Sequence, residues 1–324
     1  MAKTILPANP DYATYWQQWH QNPAAPWQPA IQAIATRHDL PADGWERSPR
    51  GRNVVFLLPG QAVLKITPPI WAMDNVRERT ALGVLAEQLP TATPRILAGG
   101  ELDGWPYLLT SFIPGDMLSR LWPQLGREDQ LRLASQHGAM VRALHEVPAR
   151  PAALRFDWPG RLAEQQAEAA EEMRNAGVAP ALIADLARFL DKTAPLHRPD
   201  EPDVLLQGDL SHVNLLAMQV HGQYQITGQV DFGDTTLGQA AHEFISPLVH
   251  DYQGDRDALQ AFFQGYGLPP EKWSQAWQNH LMARIAIYYA AYLPHYLAAV
   301  PQLTPRQHWE ELAMEFCQLS EPGE

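Results

Sequence analysis

Two stretches, Gln207-Gly208-Asp209-Leu210-Ser211-His212-Val213-Asn214 and Gly228-Gln229-Val230-Asp231-Phe232-Gly233-Asp234, decide how this chain is read. Short apolar runs over residues 204–207, 215–218 and 225–230 flank them and read as strands. Asp209 and Asp231 therefore stand at strand ends separated by one hairpin, and Asn214 follows Asp209 by five residues. Alone, an Asp in a loop is a turn former, and an Asp-Phe-Gly triplet is common. The pattern gains meaning from what precedes it.

Upstream, residues 53–58 and 62–66 read as strands joined at Pro59-Gly60-Gln61, a hairpin with Lys65 in its second strand. Residues 74–89 carry Val76, Leu82, Leu85 and Leu89 at helical spacing. Residues 94–100 and 105–112 read as two more strands meeting near Asp103-Gly104, and Pro114-Gly115 breaks the pattern. Before the hairpin, residues 11–40 read as two short helices anchored by Trp16, Trp19, Trp27, Ile31 and Ile34, with prolines 23, 26 and 29 at the turn between them. Beyond Gly115 the chain reads as helices over 128–147, 161–176 and 181–192, then the strand insert, then helices from Gln239 onward. The expectation is an α+β protein: a helical extension over 1–40, a small β-rich lobe over 41–113 and a larger, mostly helical lobe over 114–324.

Composition removes several classes. At 46% apolar and 19% charged, the chain of 324 residues is neither collagen-like nor disordered. Its 36 Asp and Glu against 24 Lys and Arg give a formal charge of -12, which argues against nucleic acid as a partner. Cys317 is the only cysteine, so an internal disulfide, a cysteine zinc site and a CxxC redox pair are excluded. Residues 1–10 lack the basic start and apolar run of a signal peptide. The apolar run over 281–300 is interrupted by Arg284, Pro294 and His295 and reads as a buried helix. A soluble, cytoplasmic protein without a membrane partner is expected; the oligomeric state is not legible.

Taken together, the polar residues form a set suited to phosphoryl transfer. A triphosphate needs its charge neutralised as the γ-phosphoryl moves. Magnesium takes hard oxygen donors, which Asp231 and Asn214 supply. An attacking hydroxyl needs a carboxylate to orient it and take its proton, a role open to Asp209. Lys65, mid-strand among Val63, Leu64 and Ile66, would meet the phosphates, and it needs a counter-charge. Glu78 is the candidate on the following helix, with Glu87 as the alternative.

The order of strand Lys, helix Glu, Gly-Asp-x-x-x-x-Asn and Asp-Phe-Gly resembles the protein-kinase signature set. With Gly208 before Asp209 it resembles the aminoglycoside phosphotransferase and choline-kinase-like family, over roughly residues 45–320. The resemblance implies a two-lobed protein-kinase-like fold that binds ATP, or GTP, with Mg2+. It implies a hinge at Thr110, Ser111, Phe112 and Ile113 whose backbone binds adenine. It also implies a phosphate loop over residues 48–53, with Arg50, Arg52 and Asn53 near the nucleotide. Two positions depart from the family pattern: Gln207 stands where His is usual, and Glu243 stands where an Asp braces the catalytic loop. His212 and His242 lack the spacing of a metal pair and read as structural.

Protein kinases place a long activation segment ending in Ala-Pro-Glu after the metal Asp. Here only 11 residues separate Asp231 from Glu243, so a small-molecule acceptor is favoured over a peptide. Asp234, Asp251, Asp255, Asp257, Glu310, Glu311 and Glu315 are candidate carboxylates for an amine-rich acceptor. The N-terminal tryptophan helices, Trp71, Gly100-Glu101-Leu102, Trp105-Pro106-Tyr107-Leu108 and residues 232–257 resemble, more loosely, the hygromycin B 7''-O-kinase branch. That likeness implies phosphorylation of an aminocyclitol antibiotic. A metabolic kinase for choline, homoserine or a sugar, and a nucleotide-binding pseudokinase, are the alternatives.

Overall fold

Strands β1 (Glu46–Arg47), β2 (Val54–Leu58) and β3 (Ala62–Ile66) pair antiparallel in sequence, and helix α1 (Trp27–Arg37) precedes them. The computed structural model describes residues 4–21, 27–48, 51–300 and 307–317; Pro23, Pro26 and Arg50 lie outside them. After helix α2 (Ala72–Leu85), strands β4 (Ile96–Leu102) and β5 (Trp105–Ser111) complete a five-stranded sheet in the order β1-β2-β3-β5-β4. Side chains alternate along a strand. Val54, Phe56, Leu64, Ile66, Trp105, Tyr107 and Leu109 accordingly share one core with Tyr15, Trp27, Ile31 and Ile34 of the N-terminal helices. Lys65, in register with Val55 and Leu108, is forced by the same alternation onto the other face.

The remaining chain is mainly helical. Strand β6 (Asp116–Met117) is followed by helices α3 (Arg127–Glu146), α4 (Trp158–Ala176) and α5 (Pro180–Lys192). Asp157 caps α4 by accepting the Gly160 N–H at 3.0 Å. Next come β7 (Val204–Leu206), β8 (Leu215–Val220), β9 (Gln223–Gln229) and β10 (Thr236–Gly238). Strands β6, β8 and β9 form one sheet, and β10 pairs antiparallel with β7. Helices α6 (Arg256–Tyr266), α7 (Gln275–Tyr288), α8 (Leu293–Ala299) and α9 (Trp309–Cys317) finish the chain.

By contacts the chain forms two units. One comprises 1–88, 92–114 and 228–235; the other comprises 89–91, 115–227 and 236–324. Residues 228–235, which carry Asp231, thus pack with the β-rich unit although they continue from β9 in sequence. Among the described residues, no helix is long and apolar enough to cross a membrane.

Several local expectations need correction. The run 281–300 is not one helix: α7 stops at Tyr288, a 3-10 turn spans Ala290–Tyr292, and α8 restarts at Leu293 with Pro294 in its first turn. A proline there costs no hydrogen bond, because first-turn N–H groups lack intrahelical partners. Pro29 likewise lies in the first turn of α1 rather than in a loop. Helix α2 ends at Leu85, so Leu89 is outside it, and Val76 is exposed. The two- and three-residue strands β6 and β10 carried no periodic signal, being too short to show one.

Candidate active site

In the β-rich unit, Lys65 is the centre of a charged cluster. Its Nζ lies 2.8 and 2.7 Å from the two carboxylate oxygens of Glu78 on α2, and 2.9 Å from Asp231 Oδ1. Lys65 is 8% exposed and Glu78 4%, so this ion pair is out of bulk water, whereas the Asp231 side chain is half-exposed. Burial alone would disfavour the ammonium, but Asp231 and Glu78 outweigh it and raise the Lys65 pKa. The same ammonium holds the Asp231 carboxyl below its ordinary value, while burial pushes Glu78 upward against the pull of Lys65. Asp231 adopts φ 62°, a left-handed conformation that Asp tolerates better than most residues. Glu87 lies beyond the end of α2, also with positive φ, and is not the partner of Lys65.

Around this cluster Arg52 donates from Nε to Asp74 at 2.9 Å, reaches Asp234 through Nη2, and stacks over the Trp71 ring at 5.7 Å. Its guanidinium is thus already engaged by two carboxylates. Asn53 is buried at 8%. At the far end of β5, the Ser111 N–H donates to Arg95 O at 2.8 Å and its hydroxyl accepts from Arg95 N at 2.9 Å. Phe112 N–H points to Gln61 O at 3.4 Å, and the Ile113 side chain is 9% exposed.

The helical unit carries Asp209 and Asn214 in the loop between β7 and β8. Gly208 takes φ 91°, a left-handed value that explains the glycine before Asp209. Asp209 Oδ1 accepts the Ser246 hydroxyl at 2.7 Å and the Ser211 hydroxyl at 3.2 Å. Asn214 Nδ2 donates to Asp209 O at 2.7 Å and to Oδ2 at 3.3 Å. The loop backbone is gathered by Glu243, whose oxygens accept the N–H groups of Gln207 (2.6 Å), Gly208 (3.1 Å) and Leu210 (3.4 Å). The longer Glu therefore reaches the loop. Burial pushes its pKa up to about 7, opposed by those N–H groups and reinforced by Asp209.

Beside Asp209 is an open cleft of about 510 Å3 whose walls include Trp122, Pro123, His212, His250 and Asp251. The Asp251 side chain is 4% exposed, accepts the His212 N–H through both oxygens at 3.0 and 3.1 Å, and has its pKa raised well above the usual carboxyl range, chiefly by burial. Of the seven carboxylates expected around an acceptor, Asp251 alone lines this cleft. Asp255 and Asp257 bind Arg127 at 2.5 and 2.9 Å, Glu310 binds Arg188 at 2.7 Å, and Asp234 binds Arg52. These four pair with arginines close by.

His137, His212 and Asp251 approach closely enough to suggest a metal site. However, His137 Nε2 donates to Leu210 O at 2.9 Å and its Nδ1 accepts from the Tyr252 hydroxyl at 3.0 Å. Burial lowers its pKa to about 4, so the ring is neutral and both nitrogens are in use. His212 packs 4.4 Å from Trp122, and His242 lies 4.1 Å from Trp158. These histidines fill structure.

Sequence reasoning missed Asp74, which holds Arg52, and Ser246, which holds Asp209. Ser246 stands three residues after Glu243, a spacing that puts both on one side of a helical turn; it was legible only once Glu243 was placed.

The phosphotransferase enzyme family matches residues 48–279. An aminoglycoside 3'-phosphotransferase of Streptomyces ribosidificus is 29% identical over 192 residues, covering 54% of this chain and 67% of that one. The GDP and kanamycin complex of APH(2")-IIia superposes with a TM-score of 0.67 at 18% identity, over 90% of this chain and 97% of that one. The streptomycin-ATP-APH(2")-IIa ternary complex does so with a TM-score of 0.61 at 14% identity, over 85% and 96%. At such identities the structural likeness is one of fold, and the fold is the protein-kinase-like one with a β-rich and a helical lobe.

Proposed function

The chain belongs to the phosphotransferase enzyme family, and from that premise we propose that it transfers the γ-phosphoryl of ATP to a hydroxyl of a small, amine-bearing molecule of the aminoglycoside or aminocyclitol type. The observation that carries the reading is the buried ammonium of Lys65 held between Glu78 and Asp231. A lysine so placed keeps its charge without a solvent shell, which is what bound phosphates require.

Each residue then has one task. Lys65, oriented by Glu78, neutralises phosphate charge. Asp209 orients the acceptor hydroxyl and takes its proton as the oxygen bonds to the γ-phosphorus and the β–γ bridging bond breaks, leaving nucleoside diphosphate. The transfer is direct and needs no phosphoenzyme. The donors for Mg2+ fit in chemistry: Asp231 is an ionised, half-exposed carboxylate. Asn214 donates from Nδ2 to Asp209, which supports its amide oxygen as the proposed second ligand. A bound ion would supply electrostatic stabilisation of the phosphates. The backbone of Ser111 and Ile113 is the proposed adenine contact. Arg52 and Asn53 lie on the proposed phosphate side, where Arg52 would exchange a carboxylate partner for phosphate.

A second reading has one observation in its favour. The cleft beside Asp209 offers Trp122, His250 and a buried Asp251 rather than a ring of ionised carboxylates. Aromatic faces suit an acceptor with a single cationic group, as in a choline-type metabolic kinase.

The test is direct. Purified protein is incubated with ATP or GTP, Mg2+ and a panel spanning hygromycin B, kanamycin-type aminoglycosides, choline, homoserine and sugars, and adducts are sought by mass spectrometry. A phosphate adduct on an aminocyclitol or aminoglycoside is the expected result; an adduct on choline or homoserine alone selects the second reading. Asp209→Asn should lower kcat by about 10^2–10^4-fold with nucleotide affinity unchanged. Full activity in that variant removes Asp209 from the mechanism.

A further inference from the structure

Glu243 and Ser246 leave the same helical turn and hold the same loop in two ways. Glu243 gathers the loop's backbone through the Gln207, Gly208 and Leu210 N–H groups. Ser246, 3% exposed, reaches the side chain itself, donating its hydroxyl to Asp209 Oδ1 at 2.7 Å. That is a well-formed O–H···O distance. Ser211 at 3.2 Å and Asn214 at 3.3 Å also donate to the carboxylate, from farther away. Beside Ser246, the Tyr289 hydroxyl lies 3.3 Å from His250 Nε2. Tyr289 packs edge-on against His250 and close to Tyr296, which holds its ring.

We propose that Ser246 is a positioning residue for Asp209: its hydroxyl anchors Oδ1, fixes the carboxylate plane, and turns the second oxygen toward the acceptor hydroxyl, with Tyr289 fixing Ser246 in turn. The inference rests on Asp209 being the base. A carboxylate on two single bonds rotates freely unless one oxygen is held, and a small misorientation of a reacting group costs rate rather than binding. Ser246 therefore contributes to kcat and not to the affinity for either substrate.

Steady-state kinetics of Ser246→Ala, Ser246→Thr and Tyr289→Phe, with and without Asp209→Asn, tests this. Ser246→Ala should lose about 10- to 100-fold in kcat, the worth of one hydrogen bond to a charged group. Both KM values should stay within about twofold, since neither substrate is bound by Ser246. Ser246→Thr keeps the hydroxyl and should recover most of kcat. Tyr289→Phe keeps the ring and should show a smaller loss of the same kind. In the Asp209→Asn background Ser246→Ala should cost nothing further, because the two act as one unit. The proposal is overturned if Ser246→Ala and Tyr289→Phe both leave kcat within twofold, or if the loss adds fully to that of Asp209→Asn. A fully active Asp209→Asn enzyme would instead overturn the assignment of the base.

Discussion

Lys65 is costly to place where it is. A solvated lysine belongs on an exposed strand face, yet this one is 8% exposed and carries its charge beside Glu78 and Asp231. Buried pairs gain little net stability, but breaking one leaves an uncompensated charge. Lys65→Met should therefore destabilise the protein by about 3–5 kcal/mol, because Glu78 is left ionised or forced to take up a proton. Lys65→Met with Glu78→Gln should recover most of that loss in urea unfolding. Neither variant should recover activity, since phosphate neutralisation is gone in both. A double variant as unstable as the single one would show that the pair is not the source of the cost.

The segment from Glu243 to Ser246 is one of the elements that hold the loop carrying Asp209 within the helical unit. Its titration has a definite sign. The pKa of Glu243 rises from the ordinary 4.5 to about 7 on folding, so the native state binds more protons than the unfolded state between those values. This contribution to stability is fully present below pH 4.5 and is lost as pH rises through about 7. Replacing Glu243 by Gln removes the titrating group. The wild type should therefore lose stability relative to Glu243→Gln as pH rises from 4.5 to 7, and the difference should be flat above that. Urea midpoints at a series of pH values measure it; a difference that is constant throughout would show that Glu243 is ionised across the range, held so by its three N–H donors.

Over the whole molecule, the formal charge of -12 creates an attractive field for cations, although most of the carboxylates expected around an acceptor are paired or buried. Long-range attraction and local contact then separate. For a polyamine acceptor, kcat/KM should fall several-fold between about 0.05 and 0.5 M salt while kcat holds, because a field screened over about 10 Å or less acts on encounter. For an uncharged sugar both should be insensitive. A salt-independent KM for polyamines would show that steering is absent.

The motif order was legible in the residues because each part is local: Gly208 before Asp209 marks a left-handed turn, and Lys65 is the one charge in the apolar run of β3. Helices α3, α4 and α5 were legible for the same reason, since long periodic segments declare themselves. Strands β6 and β10, of two and three residues, have no period to read and exist only through their partners. The partners of charged side chains were equally out of reach. Asp255 and Asp257 looked available to an acceptor until Arg127, far off in the chain, was found against them, and Ser246 had no mark until it met Asp209. Periodicity and turn chemistry act over a few residues, so the linear chain carries them; ion pairs and hydrogen bonds across a hundred residues depend on distances that exist only after folding.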